Sequence, residues 1–252
     1  MADVAVLVPE ASVWVAYTPP DGATFGRYIQ RNPDAMRIDS IFRDTCHELL
    51  RRQRDFDTIS EQFLQQGLVR DGRLHVGPEA FRVLILPEPR MLHPKTLAAV
   101  RSFVEAGSYA AIVGSLPFRT PGQGTDTTIT QAAKSLLAEF PQRTLHVEQI
   151  GKLTPLTNWL NARVPNPVAW DGPEGVRLLQ RQEPGRRIIL IANPGKTPAQ
   201  GWMTVPAPGQ VSLWNPETGG IEDLGAVTAG AQTTIAVPAE SARILVLESG
   251  RD

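Results

Sequence analysis

Acidic side chains accompany the short apolar runs in the first half of the chain. Glu10 follows the run VAVLV, Asp57 lies in FDTIS, and Glu88 follows the run that begins at Val83. Ligands of open α/β sheets bind outside the carboxyl ends of the strands, so these residues are candidates for a site. Two carboxyl groups roughly 5 to 9.5 Å apart are the usual machinery for cleaving a glycosidic bond. If the chain is active alone, Glu10, Asp57 and Glu88 are its candidate acid, base or nucleophile.

The rim of a solvated sheet also carries carboxylates at its strand ends. We favour this second interpretation, because a fold by itself does not imply a site. The separation of Glu10 and Glu88 depends on the fold and cannot be derived from the sequence.

Ser115 and Cys46 are the side chains with nucleophilic potential. Ser115 lies in VGSLP, which lacks the G-x-S-x-G pattern of a nucleophile elbow, and Pro117 interrupts the helix that should follow. Cys46 is the only cysteine, in a helical segment without the electropositive setting that a reactive thiol needs. We therefore interpret Ser115 as a ligand-binding candidate and Cys46 as a structural thiol.

The composition favours neither a metal, nor a cofactor, nor a nucleic acid. The four histidines lack ligand spacing, one cysteine excludes multi-cysteine zinc patterns, and no phosphate-binding or dinucleotide fingerprint is present. The formal net charge is -1 and the basic residues form no stripe, so we expect no nucleic-acid partner. With no signal-peptide pattern and no long apolar run, we expect a soluble chain without membrane contact. Its compartment stays undetermined.

The chain has five tryptophans, and most are expected in the core because the indole is large and apolar. Trp14, in a predicted loop after the first strand, and Trp170, in a predicted linker, are instead candidates for contacting a partner domain or a saccharide. These two residues complete the set of ligand-binding candidates with Ser115.

The segment from Arg82 to Pro117 predicts the scaffold that positions these residues. It reads as strand, helix, turn and strand, which together make a βαβ crossover. The runs Val83 to Leu86 and Ala110 to Val113 lack polar alternation, as parallel strands covered on both faces do. Between them, apolar residues recur at helical spacing, and Gly107 stands where a helix C-cap favours positive φ.

Strand and helix alternate through the rest of the first half. Further strands are predicted at VAVLV, FDTIS and TLHVEQ, and further helices from about Ser40 to Gln53 and at TTITQAAKSLLAEF. This alternation predicts an α/β domain with an open parallel sheet of the flavodoxin-like or Rossmann-like class. Asp71-Gly72, between short apolar flanks, predicts a β-hairpin.

After Val164 the pattern changes, because Pro and Gly become frequent and the apolar runs become short. We predict strands at VRLLQRQ, RIILIAN, WMTVP, QVSLWN, TTIAVP and RILVLES, which indicate a small antiparallel β-sandwich. The expected domains are therefore residues 1–164 and 165–252, joined around ARVPNPVAWDGPEG.

Several strings resemble one family. The stretch from DFDTISEQFL to AAIVGSLP and the opening ADVAVLVPEASVWVAYTP resemble the domain that follows the catalytic barrel in α-L-rhamnosidase-like glycoside hydrolases. That domain is similar to class I glutamine amidotransferases. RRIILIANPGKTPAQGWMTVP and VSLWNPETGGIEDL resemble the C-terminal β-sandwich of the same family, including a turn that is here Trp214 to Gly219.

The resemblance implies a fold without a catalytic site. In such enzymes the catalytic carboxylates lie on the barrel, so no residue of this chain inherits a catalytic role from the motifs. The nucleophilic cysteine of the amidotransferases has no counterpart either, because the corresponding turn is Gly114-Ser115-Leu116.

Three functional hypotheses follow. The first is a non-catalytic accessory region of a glycoside hydrolase, which packs against a catalytic domain or associates with itself. The second is a small stand-alone glycoside hydrolase that uses the strand-end carboxylates. The third is a carbohydrate-binding module that uses Trp170, Trp202 or Trp214, which requires a ring that faces solvent.

Overall fold

The computed structural model describes residues 2–17, 32–122, 124–149, 151, 153–166 and 168–249. The chain divides into two units. We call the first, which contains Ala2–Glu48 and Phe56–Val164, the α/β domain, and the second, which contains Leu49–Asp55 and Pro165–Asp252, the β domain.

Short strands and helices alternate along the first part of the chain. In order they are β1 (Val4–Leu7), α1 (Glu10–Ala16), α2 (Pro33–Arg51), β2 (Phe56–Ile59), α3 (Glu61–Gln66), β3 (Leu68–Arg70), β4 (Arg73–Val76), β5 (Glu79–Phe81), β6 (Val83–Pro87), α4 (Pro94–Glu105), β7 (Tyr109–Val113), α5 (Thr127–Glu139), β8 (Thr144–Val147) and α6 (Thr154–Arg163).

The main sheet of the α/β domain is parallel throughout, in the order β2-β1-β6-β7-β8. Numbered along the chain, these strands stand in the order 2-1-3-4-5, which is a doubly wound arrangement. Every residue of β1 and β6 is buried, as expected of central strands with both faces covered. The predicted open parallel sheet is thus confirmed.

Helix α4 buries the apolar residues that recur at helical spacing in its sequence. Leu97, Val100, Phe103 and Val104 lie on one face and are buried, while the helix starts with Pro94 in its first turn. Gly107 follows the helix with φ of +104°, the conformation expected there. The crossover predicted between β6 and β7 is therefore present with its helix at the expected position.

A small antiparallel sheet of β3, β4 and β5 interrupts the α/β alternation. Asp71 and Gly72 connect β3 to β4 with φ of 52° and 65°. Two consecutive positive φ values are what a two-residue type I′ hairpin needs, so the predicted hairpin is confirmed.

The β domain consists of antiparallel strands. They are β9 (Ala169–Asp171), β10 (Arg177–Glu183), β11 (Arg186–Asn193), β12 (Ala199–Thr204), β13 (Gly209–Trp214), β14 (Ile221–Val227), β15 (Gln232–Val237) and β16 (Ser241–Glu248). One sheet has the order β10-β11-β16-β13-β14 and the other the order β15-β12-β9. Side chains from both sheets, Ile189, Met203 and Ile235 among them, share one apolar core, so the two sheets form a sandwich.

Two strands of the β domain and three helices, α1, α3 and α6, were not predicted from the sequence. Strand β9 has three residues and lies in the segment expected to be a linker, and β14 contains Glu222, Asp223 and Gly225. Helix α6 buries Leu156, Trp159 and Leu160, whose spacing is helical although the surrounding residues are polar. Helix α2 also begins earlier than expected, at Pro33.

Phe103 is fully buried at the centre of the α/β core, so replacing it with alanine leaves a large cavity. We expect Phe103→Ala to lower the free energy of unfolding of the α/β domain by about 3 to 5 kcal/mol. Hydrogen exchange of the β6 and β7 amides measures this value.

The matched control is Phe63→Ala, because Phe63 is more than half exposed. Its expected effect is within about 0.5 kcal/mol. Equal losses in the two variants would show that Phe103 does not hold the core as described.

Candidate functional site

Glu88 is the carboxylate that the fold buries at the carboxyl end of the main sheet. It follows β6 directly, and its backbone N–H donates to the carbonyl of Val113 on β7 at 2.7 Å. Its φ of +41° is rare for a residue with a side chain, and its exposure is 0%. Such a conformation persists only where the surroundings hold it in place, which makes this position a natural candidate site.

Donors from three directions satisfy the Glu88 carboxylate. Ser115 donates its backbone N–H to Oε2 at 2.8 Å and its hydroxyl to Oε1 at 3.0 Å. Arg90 Nε donates to Oε1 at 2.8 Å, and Arg37 Nε approaches the same oxygen at 3.4 Å. Arg90 also reaches Asp34 Oδ1 with Nη1 at 2.9 Å. We call these five residues the Glu88 cluster.

Gly114 leaves the space that the carboxylate occupies. It lies between β7 and Ser115 with φ of +89°, and its N–H donates to Val147 on β8 at 2.8 Å. A Cβ at this position would overlap Glu88 Oε2. Both its backbone conformation and this close approach therefore require glycine.

The electrostatics of the cluster favour the ionised carboxylate. Burial by itself raises the pKa of Glu88, but the hydrogen bonds from Ser115 and Arg90, together with the positive charge of Arg90, outweigh burial and leave this pKa below the ordinary glutamate value. Glu88 is therefore a carboxylate at neutral pH. A general acid needs the opposite shift, so the geometry suits structural anchoring rather than proton donation.

The other two carboxylate candidates are exposed rather than buried with Glu88. Glu10 is the exposed first residue of α1. Asp57 is exposed and lies inside β2, opposite Ala5 of β1. Asp57 therefore lies within the strand rather than beyond its carboxyl end, because β2 continues through Ile59. Within the described residues, neither side chain forms a hydrogen bond with the Glu88 cluster.

The two tryptophans proposed as ligand contacts differ in exposure. Trp14 is 70% exposed, on helix α1 rather than in the expected loop. Trp170 is 7% exposed, in β9 rather than in a linker, and it belongs to the core of the β domain. A buried ring has no face available to a sugar, so the saccharide role expected for Trp170 is wrong.

Ser115 is brought to Glu88 rather than to a catalytic base, because both of its donors point at the carboxylate. Arg37, Arg90 and Asp34 are the site residues that the sequence interpretation missed. Arg90 could have been identified from the sequence, because it lies only two residues after Glu88. No local sequence pattern connects Glu88 to α2, the helix that contains Asp34 and Arg37.

The remaining nucleophile is inactive as placed. Desolvation by burial raises the pKa of the Cys46 thiol to about 11, so the thiol is protonated at neutral pH. Over the part of the chain that the structure describes, His, Cys, Asp and Glu side chains form no group of three or more suited to a metal ion. Across the same residues, no helix is long and apolar enough to cross a membrane.

Replacing Gly114 with alanine separates backbone strain from displacement of Glu88. Gly107 has a similar φ of +104° but no atom within 4 Å of the added Cβ, so Gly107→Ala measures strain alone, about 1 to 2 kcal/mol. We expect Gly114→Ala to destabilise the α/β domain by about 3 kcal/mol more, because the ion-paired carboxylate is displaced. Hydrogen exchange of the β6 and β7 amides compares the two variants, and equal losses would contradict this role of Glu88.

Comparison with known proteins places this fold among glycoside hydrolases. A search of curated proteins gave no significant match. Among solved structures, a rhamnosidase from Novosphingobium sp. PP1Y matches 78% of this chain and 20% of its own, with 19% identity and a TM-score of 0.56. A GH42 β-galactosidase from G. stearothermophilus matches 98% of this chain and 40% of its own, with 12% identity and a TM-score of 0.62.

A third structure, α-L-fucosidase isoenzyme 2 from Paenibacillus thiaminolyticus, matches 100% of this chain and 49% of its own, with 14% identity and a TM-score of 0.54. At these identities the matches show a shared fold. The chain thus spans between a fifth and a half of the length of these three proteins.

The family evidence comes from the sequence itself. A family model described as alpha-L-rhamnosidase matches residues 31–227, which is more than half of the chain and includes parts of both domains. The Glu88 cluster and most of the sandwich lie within the matched region. The chain therefore belongs to the α-L-rhamnosidase family of glycoside hydrolases.

Proposed function

We propose that this chain is a non-catalytic accessory region of an α-L-rhamnosidase-type glycoside hydrolase, which packs against a catalytic domain or against a second copy of itself. The observation that carries the proposal is the state of Glu88. The carboxylate best placed for chemistry at the sheet edge is fully buried and already satisfied by Ser115 and Arg90.

Glycoside hydrolysis makes demands that the three candidate carboxylates do not meet together. One carboxyl must be protonated at working pH, and a second must be ionised on the other side of the scissile bond. The pKa of Glu88 is lowered, and its oxygens are not exposed to a substrate. Glu10 and Asp57 are exposed, and neither is hydrogen-bonded to the Glu88 cluster within the described residues.

We further propose that the chain corresponds to the region after the catalytic barrel, with an amidotransferase-like α/β domain. Support comes from the strand order 2-1-3-4-5 and from the β6-α4-β7 crossover. The turn after β7 is where a nucleophile would stand in such a domain. Here that turn is Gly114-Ser115, and Ser115 is a donor to Glu88.

An exposed apolar surface supports the packing role. Trp14 and Val15 are exposed on α1, and Met36 is exposed in the first turn of α2. Asn32 joins these two helix ends, because its Nδ2 donates to the carbonyl of Ala16 at 2.7 Å while its Oδ1 caps α2. Exposed apolar groups of this kind mark interaction surfaces in soluble proteins.

Hydrolysis of a panel of nitrophenyl glycosides tests the proposal. The panel contains α-L-rhamnoside, β-D-galactoside and α-L-fucoside, with an active α-L-rhamnosidase as the positive control. We expect the purified chain to release no more nitrophenol than buffer does. Turnover that is lost in Glu10→Gln, Asp57→Asn or Glu88→Gln, in a variant that stays folded, would overturn the accessory role.

Light scattering on the same samples separates the two packing partners. A mass that rises with concentration, and that Trp14→Ala returns to the monomer value, indicates self-association through the exposed surface. A monomer throughout excludes self-association and leaves a catalytic domain as the proposed partner. Trp214→Ala is the matched control, since Trp214 is partly exposed but lies on β13 in the other domain.

A further inference from the structure

The outer face of the three-stranded sheet in the β domain carries one aromatic ring among polar side chains. Burial alternates along β12, so Gln200, Trp202 and Thr204 face away from the core. Trp202 pairs in register with Asp171 of β9 on one side and with Thr234 of β15 on the other. Asp171 and Thr234 are exposed as well. We call these five residues the Trp202 face.

The ring at the centre of this face is open to solvent. Trp202 is 51% exposed. Directly opposite residues in an antiparallel pair have Cβ atoms about 4.5 to 5.5 Å apart, so Asp171 and Thr234 are the cross-strand neighbours of Trp202 on its two sides. The outer positions beyond them include Ala169 and Ala236, which are too small to cover the ring.

Among the described residues, the polar side chains of this face form no hydrogen bonds with other residues. These side chains are those of Asp171, Gln200, Thr204 and Thr234. Trp214, the other partly exposed indole of the β domain, differs in this respect, since its Nε1 donates to Ser212 Oγ at 2.8 Å.

The inner side of the sheet that carries the Trp202 face is closely packed. On the inner side of the same sheet, the ring of Trp170 lies so close to Gly172 and Gly201 that a Cβ on either would come within 2.7 Å of it. Trp170 is itself opposite the fully buried Met203. The inner side of β9 and β12 is therefore closely packed, and this packing supports the backbone that carries the Trp202 face.

We propose that the Trp202 face is a saccharide-binding site. A pyranose ring presents an apolar C–H face that stacks on an indole and a rim of hydroxyls that need donors and acceptors. The Trp202 face offers this combination, with the ring flanked by a carboxylate, an amide and two hydroxyls. A saccharide is also the class of molecule that glycoside hydrolases handle, and the chain belongs to such a family.

The dimensions of the sheet favour a sugar over a protein as the occupant. Three strands spaced about 4.8 Å apart, with about six residues of about 3.3 Å rise in β12, make a face of roughly 200 to 300 Å². A stable protein interface takes about 800 Å² from each partner and has an apolar core depleted in charge. This face has a single large apolar group and a carboxylate beside it, which suits one or two sugar rings.

The site is independent of whether the chain is catalytic, so its test uses binding alone. The ¹H–¹⁵N spectrum of the folded chain contains the indole N–H signals of its tryptophans, and Trp202→Phe identifies the one that belongs to Trp202. The probes are methyl α-L-rhamnoside, methyl β-D-galactoside, methyl α-L-fucoside and a rhamnose-containing oligosaccharide.

We expect at least one probe to shift the Trp202 indole signal saturably. The expected dissociation constant is about 1 mM, which is weak binding. Trp202→Ala should abolish the binding, and Asp171→Ala should raise the dissociation constant about tenfold, which corresponds to the loss of one hydrogen bond to a charged group. Trp214→Ala should leave the constant within about twofold.

Three results would overturn the proposal. One is the absence of any shift of the Trp202 signal with every probe at concentrations of about 50 mM, well above a dissociation constant near 1 mM. Another is saccharide binding that survives Trp202→Ala unchanged in a variant whose remaining spectrum shows the native fold. Loss of binding in Trp214→Ala alone would likewise place the site on the other sheet.

Discussion

A buried carboxylate must be compensated by donors or charges, and in the α/β domain this requirement falls on Glu88. Removing a carboxylate from water costs several kcal/mol unless donors and opposite charges replace the water. Arg90 supplies charge and a donor, Ser115 supplies two donors, and Gly114 supplies the space. The end of β6, the turn after β7 and the start of α2 are thus tied to one side chain.

This interaction also limits what the sheet edge can do. Parallel α/β sheets bind ligands at their carboxyl ends, and here that position holds an ion pair. Arg37 contributes a second positive charge and Asp34 balances it, so the cluster contains two cations and two anions. This internally paired arrangement connects the ends of β6 and β7 to α2 and keeps the Glu88 carboxylate in its ionised form. Within the described residues, the carboxylate of Glu88 is occupied by these pairings, whereas Glu10 near the same edge is exposed.

The β domain presents the complementary situation. Its core is apolar and contains Trp170, while its outer face carries Trp202 among exposed polar groups. In the sheet that contains β9 and β12, Trp170 is therefore buried on the inner side and Trp202 is exposed on the outer side. Register alone distinguishes them, since a shift by one residue would exchange the two faces.

The sequence predicted those elements whose signals are local. The apolar runs of β6 and β7, the helical spacing of Leu97 to Val104 and the Asp71-Gly72 turn each depend on a few adjacent residues. Strand β9 escaped because three residues are too few to show alternation, and Trp170 was consequently placed in a linker. The site was predictable only to the extent of Glu88 and Ser115. Arg37 and Asp34 reach it from α2, 51 and 54 residues earlier in the chain, through packing that no local pattern encodes.

The most direct test of the account is the titration of Glu88 itself. The ¹³C shift of its side-chain carboxyl, assigned by comparison with Glu88→Gln, is followed as the pH is lowered. We expect the carboxyl to titrate below the ordinary glutamate pKa of about 4.3, or to remain ionised down to the lowest pH at which the domain is folded. A pKa for Glu88 raised toward neutrality would contradict the account, because it would identify a carboxyl prepared to donate a proton rather than one that anchors the sheet.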